Sequence, residues 1–230
     1  MTTWLDRPAG SMSRAARLRR LIEGRTTVAV PGAHDGISAR LARRAGFEAL
    51  YLSGAALSAS MALPDLGLIT LEDVSARARE IVRAADLPLV VDCDTGFGEA
   101  LNVMHTVRRL EEAGADVVFV EPLASRDDIR RVRDQIRAPL LANMTEFGRT
   151  PALSLAEWRE AGYELVIFPV SALRVAARAI ETFYGDLRQK GHAQDMLPAM
   201  MTRAALYELI GYYDYEALDA SIAKTVLDKQ

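Results

Sequence analysis

A single cysteine, Cys93, stands in 230 residues, which excludes an internal disulfide and any zinc site built from several thiolates. The three histidines, His34, His105 and His192, are too far apart in the chain for metal-ligand spacing. Excess positive charge is missing too: 28 Lys+Arg against 31 Asp+Glu leave a net charge of −3, so no global basic field exists to hold a phosphate backbone, and nucleic acid is not expected as a partner. Apolar runs are short, as at Leu87–Val91, far below the ~20 residues that cross a bilayer. Met1–Gly10 lacks the apolar core of a signal peptide, so a cytoplasmic location and no membrane partner are expected. Neither the Rossmann glycine fingerprint nor a P-loop follows the first predicted strand.

Half of the residues are hydrophobic and 26% are charged, the balance of a chain that buries enough apolar surface to fold as one domain over residues 1–230. Short β-rich runs alternate with helical segments along nearly all of it: Thr27–Pro31, Ala49–Ser53, Leu89–Asp94, Val117–Glu121, Leu140–Thr145 and Leu165–Val170. Such alternation predicts a parallel sheet with crossover helices. Thr70 with Asp73, Ser125 with Asp128, and Ser154 with Glu157 read as helix starts, a capping hydroxyl three residues before a carboxylate. Gly46, Gly114 and Gly162 stand where left-handed helix caps belong. The phrases Arg44-Ala45-Gly46-Phe47, Glu112-Ala113-Gly114-Ala115 and Glu160-Ala161-Gly162-Tyr163 repeat at the level of the βα unit. An N-terminal helix is expected near Ser13–Glu23 and a helical tail over 202–230.

Each predicted strand starts apolar and ends polar, which is what the mouth of a TIM-barrel-like (β/α) fold requires, because the loops after the strands converge there. Side chains alternate between faces of a strand. Asp92 and Asp94 therefore share a face, with Cys93 on the other. Paired carboxylates followed by Gly96-Phe97-Gly98 suit Mg²⁺, which takes one or two carboxylates together with water and substrate oxygens. The same spacing also fits one aspartate capping a helix and the other in a salt bridge. Tyr51 with Ser53, and Asn143 with Thr145, pair in the same way as donors to a carboxylate, or as local turn and cap features. His34 lies in a strand-end loop. Cys93, facing the helices, reads as a small buried hydrophobe.

Five stretches in one order resemble the isocitrate lyase and phosphoenolpyruvate mutase superfamily, most closely its methylisocitrate lyase branch. They are Leu52-Ser53-Gly54-Ala55, Leu63-Pro64-Asp65-Leu66-Gly67, Val91-Asp92-Cys93-Asp94-Thr95-Gly96-Phe97-Gly98, Ala142-Asn143-Met144-Thr145-Glu146-Phe147-Gly148 and Pro169-Val170-Ser171-Ala172-Leu173-Arg174. The tail, with Met201-Thr202-Arg203 and Tyr212-Tyr213-Asp214-Tyr215-Glu216, resembles the same branch. The resemblance implies Mg²⁺ at Asp92 and Asp94, with Asp94 the more direct ligand. It implies a carboxylate-holding loop at Ser53, Gly54 and Ala55, where the family usually has a second glycine in place of Ala55. It implies substrate contacts at Asn143, Thr145, Arg174 and Arg203, and lesser site positions at Tyr51 and Asp65. Glu121 resembles the glutamate of the family's sixth strand.

The pattern departs after Leu101–Ala113. There the family carries a fourth strand ending in an acidic pair, a loop with a Lys-(Arg or Lys)-Cys-Gly-His motif, and a fifth strand bearing a substrate-binding arginine. None of these is in the sequence, and the loss amounts to about 60 residues if a barrel of ~250 residues is divided into eight equal units. About six strands remain. The implied activity is Mg²⁺-dependent carbon–carbon lysis of a methylisocitrate-like 2-hydroxy or 2-oxo acid in a retro-aldol sense. The alternatives are 2-oxo acid decarboxylation or a mutase-type reaction on the same metal site, and an impaired or non-catalytic paralogue, since no residue matches the family's loop cysteine. Homo-oligomerisation through C-terminal helices, with a small carboxylate as substrate, completes the expectation.

Overall fold

The computed structural model describes residues 12–24, 26–93, 97, 100–113, 115–118, 139–148 and 151–221. They fall into two compact units, one over Met12–Thr182 and one from Phe183 onward.

The first unit opens with α1 (Arg14–Glu23), capped by the Ser13 hydroxyl accepting from the Ala16 amide. Then follow β1 (Val28–Pro31), α2 (Gly36–Arg44), β2 (Leu50–Leu52), α3 (Gly54–Ser60), α4 (Leu71–Ala85), β3 (Leu89–Val91), α5 (Ala100–Ala113), β4 (Ala115–Val118), β5 (Leu141–Asn143), α6 (Leu155–Glu160) and β6 (Leu165–Phe168). The helix α7 (Ser171–Lys190) begins in this unit and ends in the second. Every strand pairing is parallel, within two three-stranded sheets of order β5-β6-β1 and β2-β3-β4. A single bridge, Gly32 to Tyr51, joins β1 to β2 and makes one wall in the order β5-β6-β1-β2-β3-β4. This is the TIM-barrel-like arrangement that the alternating pattern predicts. Among the described residues β4 and β5 do not pair, so no closed ring is seen.

The observed strands lie inside the predicted runs, except that β4 starts at Ala115, two residues earlier than expected. The predicted caps at Thr70 and Ser154 are full capping boxes with Asp73 and Glu157. Gly46 and Gly162 hold φ of 92° and 81°, as the left-handed cap requires. The helix start at Ser125 and the cap at Gly114 lie outside the described residues.

Strand alternation sorts the core into layers. Leu50, Leu52, Leu89, Val91 and Cys93 pack with Val74, Ala78, Ile81 and Ala85 of α4 and with Leu110 of α5. The opposite parity, Ala49, Tyr51 and Val90, joins Val28, Val30, Leu165 and Ile167 on the inner face, where Leu18 of α1 also packs. Trp158 and Tyr163 cover Ala142 and Val166 outside β5 and β6, their rings 4.9 Å apart and edge to face. Cys93 thus faces the helices, as its parity predicts.

Gly32 sits where β1 and β6 converge. Its amide donates to the Phe168 carbonyl at 2.8 Å, and a Cβ built on it would lie 2.1 Å from the Pro169 carbonyl oxygen. Only glycine permits that approach.

The second unit contains the end of α7, a 3₁₀ turn at Gln194–Ala199, α8 (Arg203–Ile210) and α9 (Tyr212–Ser221). Thr202 caps α8, and Gly211 ends it at φ 73°. Tyr207 stacks on Tyr212 with ring centroids 4.4 Å apart.

Candidate active site

The C-terminal ends of β2 and β3 bring one carboxylate to the inner face. Asp92 extends the ladder beyond β3, its amide donating to the Leu52 carbonyl at 2.9 Å, and so keeps the parity of Val90. By the same alternation Ser53 follows Tyr51. Ser53 is buried, and its hydroxyl accepts from the Ala56 amide at 3.3 Å as the cap of α3. The next amide, Gly54 N–H, donates to Asp92 Oδ2 at 3.3 Å. A Cβ on Gly54 would lie 3.5 Å from that oxygen, ordinary contact that would fill the space beside the carboxylate. Tyr51 is buried beneath this pair on the inner face, and Ala55 lies in the first turn of α3, half-buried.

The donor chemistry here fits a hard divalent cation. Asp92 is a half-buried carboxylate that accepts from the Gly54 amide, with the Ser53 hydroxyl at the neighbouring β2 end, while the Cys93 thiol packs on the opposite face among the helices. Mg²⁺ takes one or two carboxylates and completes its shell with water and substrate oxygens. Asp94, the expected second carboxylate, lies outside the described residues, as does Glu121. Among the described residues no group of three or more His, Cys, Asp or Glu forms a cage.

A second constellation stands after β5. Met144 N–H donates to the Ile167 carbonyl at 2.9 Å and extends the pairing with β6, while Thr145 Oγ1 donates to Asn143 Oδ1 at 2.6 Å. The predicted Asn143 and Thr145 pair is therefore in direct contact. The loop then turns through Phe147, whose φ of 65° is left-handed and costs a non-glycine residue on the order of 1 kcal/mol or more. That turn carries Glu146 to the start of α7. Arg174 Nη1 donates to Glu146 Oε2 and to the Glu146 carbonyl, both at 2.9 Å, and Ser171 Oγ donates to Glu146 Oε1. The guanidinium carbon lies 5.4 Å from the centre of the Phe147 ring, which is 97% exposed. Partial burial raises the Glu146 carboxyl, but the Ser171 hydroxyl, a backbone amide and Arg174 outweigh it and hold the group below its ordinary value.

Sequence reasoning named Arg174 and overlooked the residue that holds it. Glu146 stood inside the Asn143–Gly148 stretch, and the spacing of Ser171 and Arg174, three apart at a helix start, puts both on one helical face. Of the remaining predicted positions, Asp65 is exposed in the turn before α4, and Arg203 is exposed at the start of α8 in the second unit. The His34 side chain lies 3.8 Å from Asp35 Oδ2, and its backbone carbonyl accepts from Arg77.

A parallel β/α wall with a carboxylate, hydroxyls and an arginine after its strands has the layout in which TIM-barrel enzymes build their active sites. Residues 18–114 match the family model described as phosphoenolpyruvate phosphomutase. The chain is 39% identical over 284 aligned positions to a 2-methylisocitrate lyase of Bacillus subtilis (strain 168), covering 93% of this chain and 94% of that one. It is 38% identical to a 2-methylisocitrate lyase of Aeropyrum pernix, with 90% of each covered. The crystal structure of a 2,3-dimethylmalate lyase, trigonal form, superposes with a TM-score of 0.83 at 27% identity over 95% of this chain and 98% of that one. Phosphonopyruvate hydrolase, crystallised with oxalate and Mg²⁺, shares the fold at a TM-score of 0.80 and 22% identity.

The chain belongs to the phosphoenolpyruvate mutase and isocitrate lyase superfamily and is a carbon–carbon lyase by its methylisocitrate lyase relatives. An alignment of 284 positions exceeds the 230 residues of the chain by 54, so at least that many positions of the comparison face no residue here. The family match stops at residue 114, where α5 gives way to β4. The strand that resembles the family's sixth thus stands beside β3, with Val90 paired to Val117. A strand reached through one helix and a single connecting residue lands next to its predecessor.

Proposed function

We propose that the protein cleaves a methylisocitrate-like 2-hydroxy tricarboxylate to a 2-oxo acid and a dicarboxylate, with Mg²⁺ held by Asp92 and Asp94. The observation that carries the reading is the Asp92 carboxylate on the inner face beside the Gly54 amide, in a chain 39% identical to a 2-methylisocitrate lyase. Bound there, Mg²⁺ would supply Lewis-acid stabilisation of oxygen charge at the substrate's hydroxyl-bearing carbon. Ser53 and Gly54 present a hydroxyl and the first amides of α3 to the adjacent carboxylate, while Asn143 and Thr145 offer further polar contacts from the β5 end. Arg174 meets a distal carboxylate.

The hydroxyl proton leaves, the carbon–carbon bond breaks, and its electron pair passes to the carbon next to the departing carboxylate, which must then take up a proton. Cys93 is buried among helix residues and does not serve as that acid. Uptake from water replaces a positioned donor, which typically costs ~10²–10⁴-fold in rate. Turnover is therefore expected to be slow.

The test is incubation of the purified protein with 2-methylisocitrate, 2,3-dimethylmalate and oxaloacetate, with and without Mg²⁺. Pyruvate and succinate from 2-methylisocitrate, lost on chelation and in Asp92→Ala, are the expected result. Absence of both products at every metal concentration overturns the reading, and CO₂ release from oxaloacetate alone would favour decarboxylation.

Assembly belongs to the same proposal. No residue of the 20-residue α7 is buried, although Val175, Ile180, Tyr184 and Leu187 are apolar and exposed. The second unit exposes Leu197, Tyr212, Tyr213 and Leu218. A second copy of the chain is the proposed cover for these faces.

A further inference from the structure

We propose that Glu146 is the positioning residue of Arg174, fixing one end of the guanidinium so that its other end receives a substrate carboxylate. The nature of that substrate rests on the lyase reading above; the contact itself rests on geometry.

A guanidinium carries five N–H donors in a rigid fork. Both contacts that Arg174 makes to Glu146 use Nη1, one to the carboxylate and one to the carbonyl of the same residue. Two acceptors from one residue, on one nitrogen, set the plane and direction of the group. Nε and Nη2 have no hydrogen-bond partner among the described residues. That remaining edge has the spacing that takes a carboxylate through two parallel hydrogen bonds. The Arg174 side chain is 39% exposed, so the edge is reachable.

Glu146 is itself fixed. Ser171 holds its other carboxylate oxygen, and the left-handed turn at Phe147 points its carbonyl toward α7. The Phe147 ring stands within cation–π reach of the guanidinium, its centre 5.4 Å from the central carbon. An exposed ion pair of this kind adds little to folding stability, and a strained turn with an exposed aromatic ring adds less. The cluster makes sense as placement of a cation: Glu146 directly follows Thr145, so the loop fixes where positive charge stands relative to Asn143 and Thr145.

Calorimetric titration of the full chain with succinate, in Mg²⁺, tests the proposal without needing turnover. Propionate serves as the one-carboxylate comparison, and the Arg174 Nε–H resonance is followed in parallel. Arg174→Ala is expected to weaken succinate about 10- to 100-fold. Glu146→Gln is expected to weaken it several-fold, to broaden the Arg174 resonance, and to leave the melting temperature nearly unchanged, while Glu146→Asp recovers part of the loss. Propionate binding should move in neither variant. Succinate binding in Glu146→Gln equal to or tighter than wild type overturns the proposal, as does a wild-type chain indifferent to Arg174→Ala or unable to bind succinate. The expected binding pattern without any cleavage of 2-methylisocitrate overturns the lyase reading alone. Cleavage by Glu146→Gln at an unchanged KM overturns the positioning role alone.

Discussion

At the scale of single residues, two glycines separate what the fold needs from what the chemistry needs. Gly32→Ala drives a methyl group into the Pro169 carbonyl and the junction of β1 with β6. The expected cost is about 3 kcal/mol or more, seen as a lower urea midpoint or as failure to accumulate folded protein. Gly54→Ala has room and begins a helix, so stability should stay within about 1 kcal/mol of wild type. Its methyl group would occupy the space beside Asp92 Oδ2, and Mg²⁺ affinity measured by calorimetry should fall.

Cys93 gives a third check. At 6% exposure among core residues, its thiol should resist a thiol-specific reagent in native buffer and react fully in denaturant. Its orientation was legible from alternation alone. Glu146 was not, because its role depends on a partner 28 residues later in the chain and on a left-handed turn that no composition rule places at a phenylalanine.

At the scale of elements, the start of α4 shows how much a short phrase specifies. Thr70 Oγ1 accepts from the Asp73 amide at 3.2 Å, and Asp73 Oδ2 accepts from the Thr70 amide at 2.8 Å and its hydroxyl at 2.6 Å. The Thr70 hydroxyl and then its amide hold the Asp73 carboxyl below the ordinary 3.8. Because the folded value is the lower one, the stability this group adds is complete above the unfolded value and is lost as pH falls through the folded value. Thr70→Ala should cost about 1 kcal/mol near neutrality. It should also flatten the acid limb of a stability-against-pH curve, measured by urea unfolding between pH 2 and 6.

Helix starts and strand cores were readable because each depends on residues within a few positions. The neighbour of β4 was not, since likeness to a sixth strand says nothing of which strand it will meet once the intervening units are gone. The length of α7 was also hidden, because the polar residues Ser171 and Arg174 read equally well as a strand-end loop.

For the whole molecule, the exposed apolar residues of α7 and of the second unit bear on assembly. Sedimentation equilibrium is expected to show a dimer or larger species, and Ile180→Asp with Tyr184→Asp should shift it toward monomer. A wild-type monomer at tens of micromolar would remove that part of the proposal. The parallel β/α architecture and most of the β2 and β3 ends of the site were legible in the order of the sequence motifs. The missing units were legible as a gap in that order, and the family match ending at residue 114 falls at the same place.

The order of strands in the wall also sets an order in time. The sheet β2-β3-β4 is built from one continuous stretch of chain, whereas β1 pairs with β6, Val28 against Leu165, 137 positions later in the chain. At ~5–20 residues per second, β1 waits roughly 7–27 s on the ribosome for its partner to be made. During that interval the β6-facing edge of β1 is bare, and among the described residues its link to strands already synthesised is the bridge from Gly32 to Tyr51 with the packing of Val28 and Val30 against Ala49, Tyr51 and Val90. Nascent chains stalled shortly before residue 165 should be cut by protease near β1 while the β2-β3-β4 segment resists, so the first strand translated is among the last to be secured.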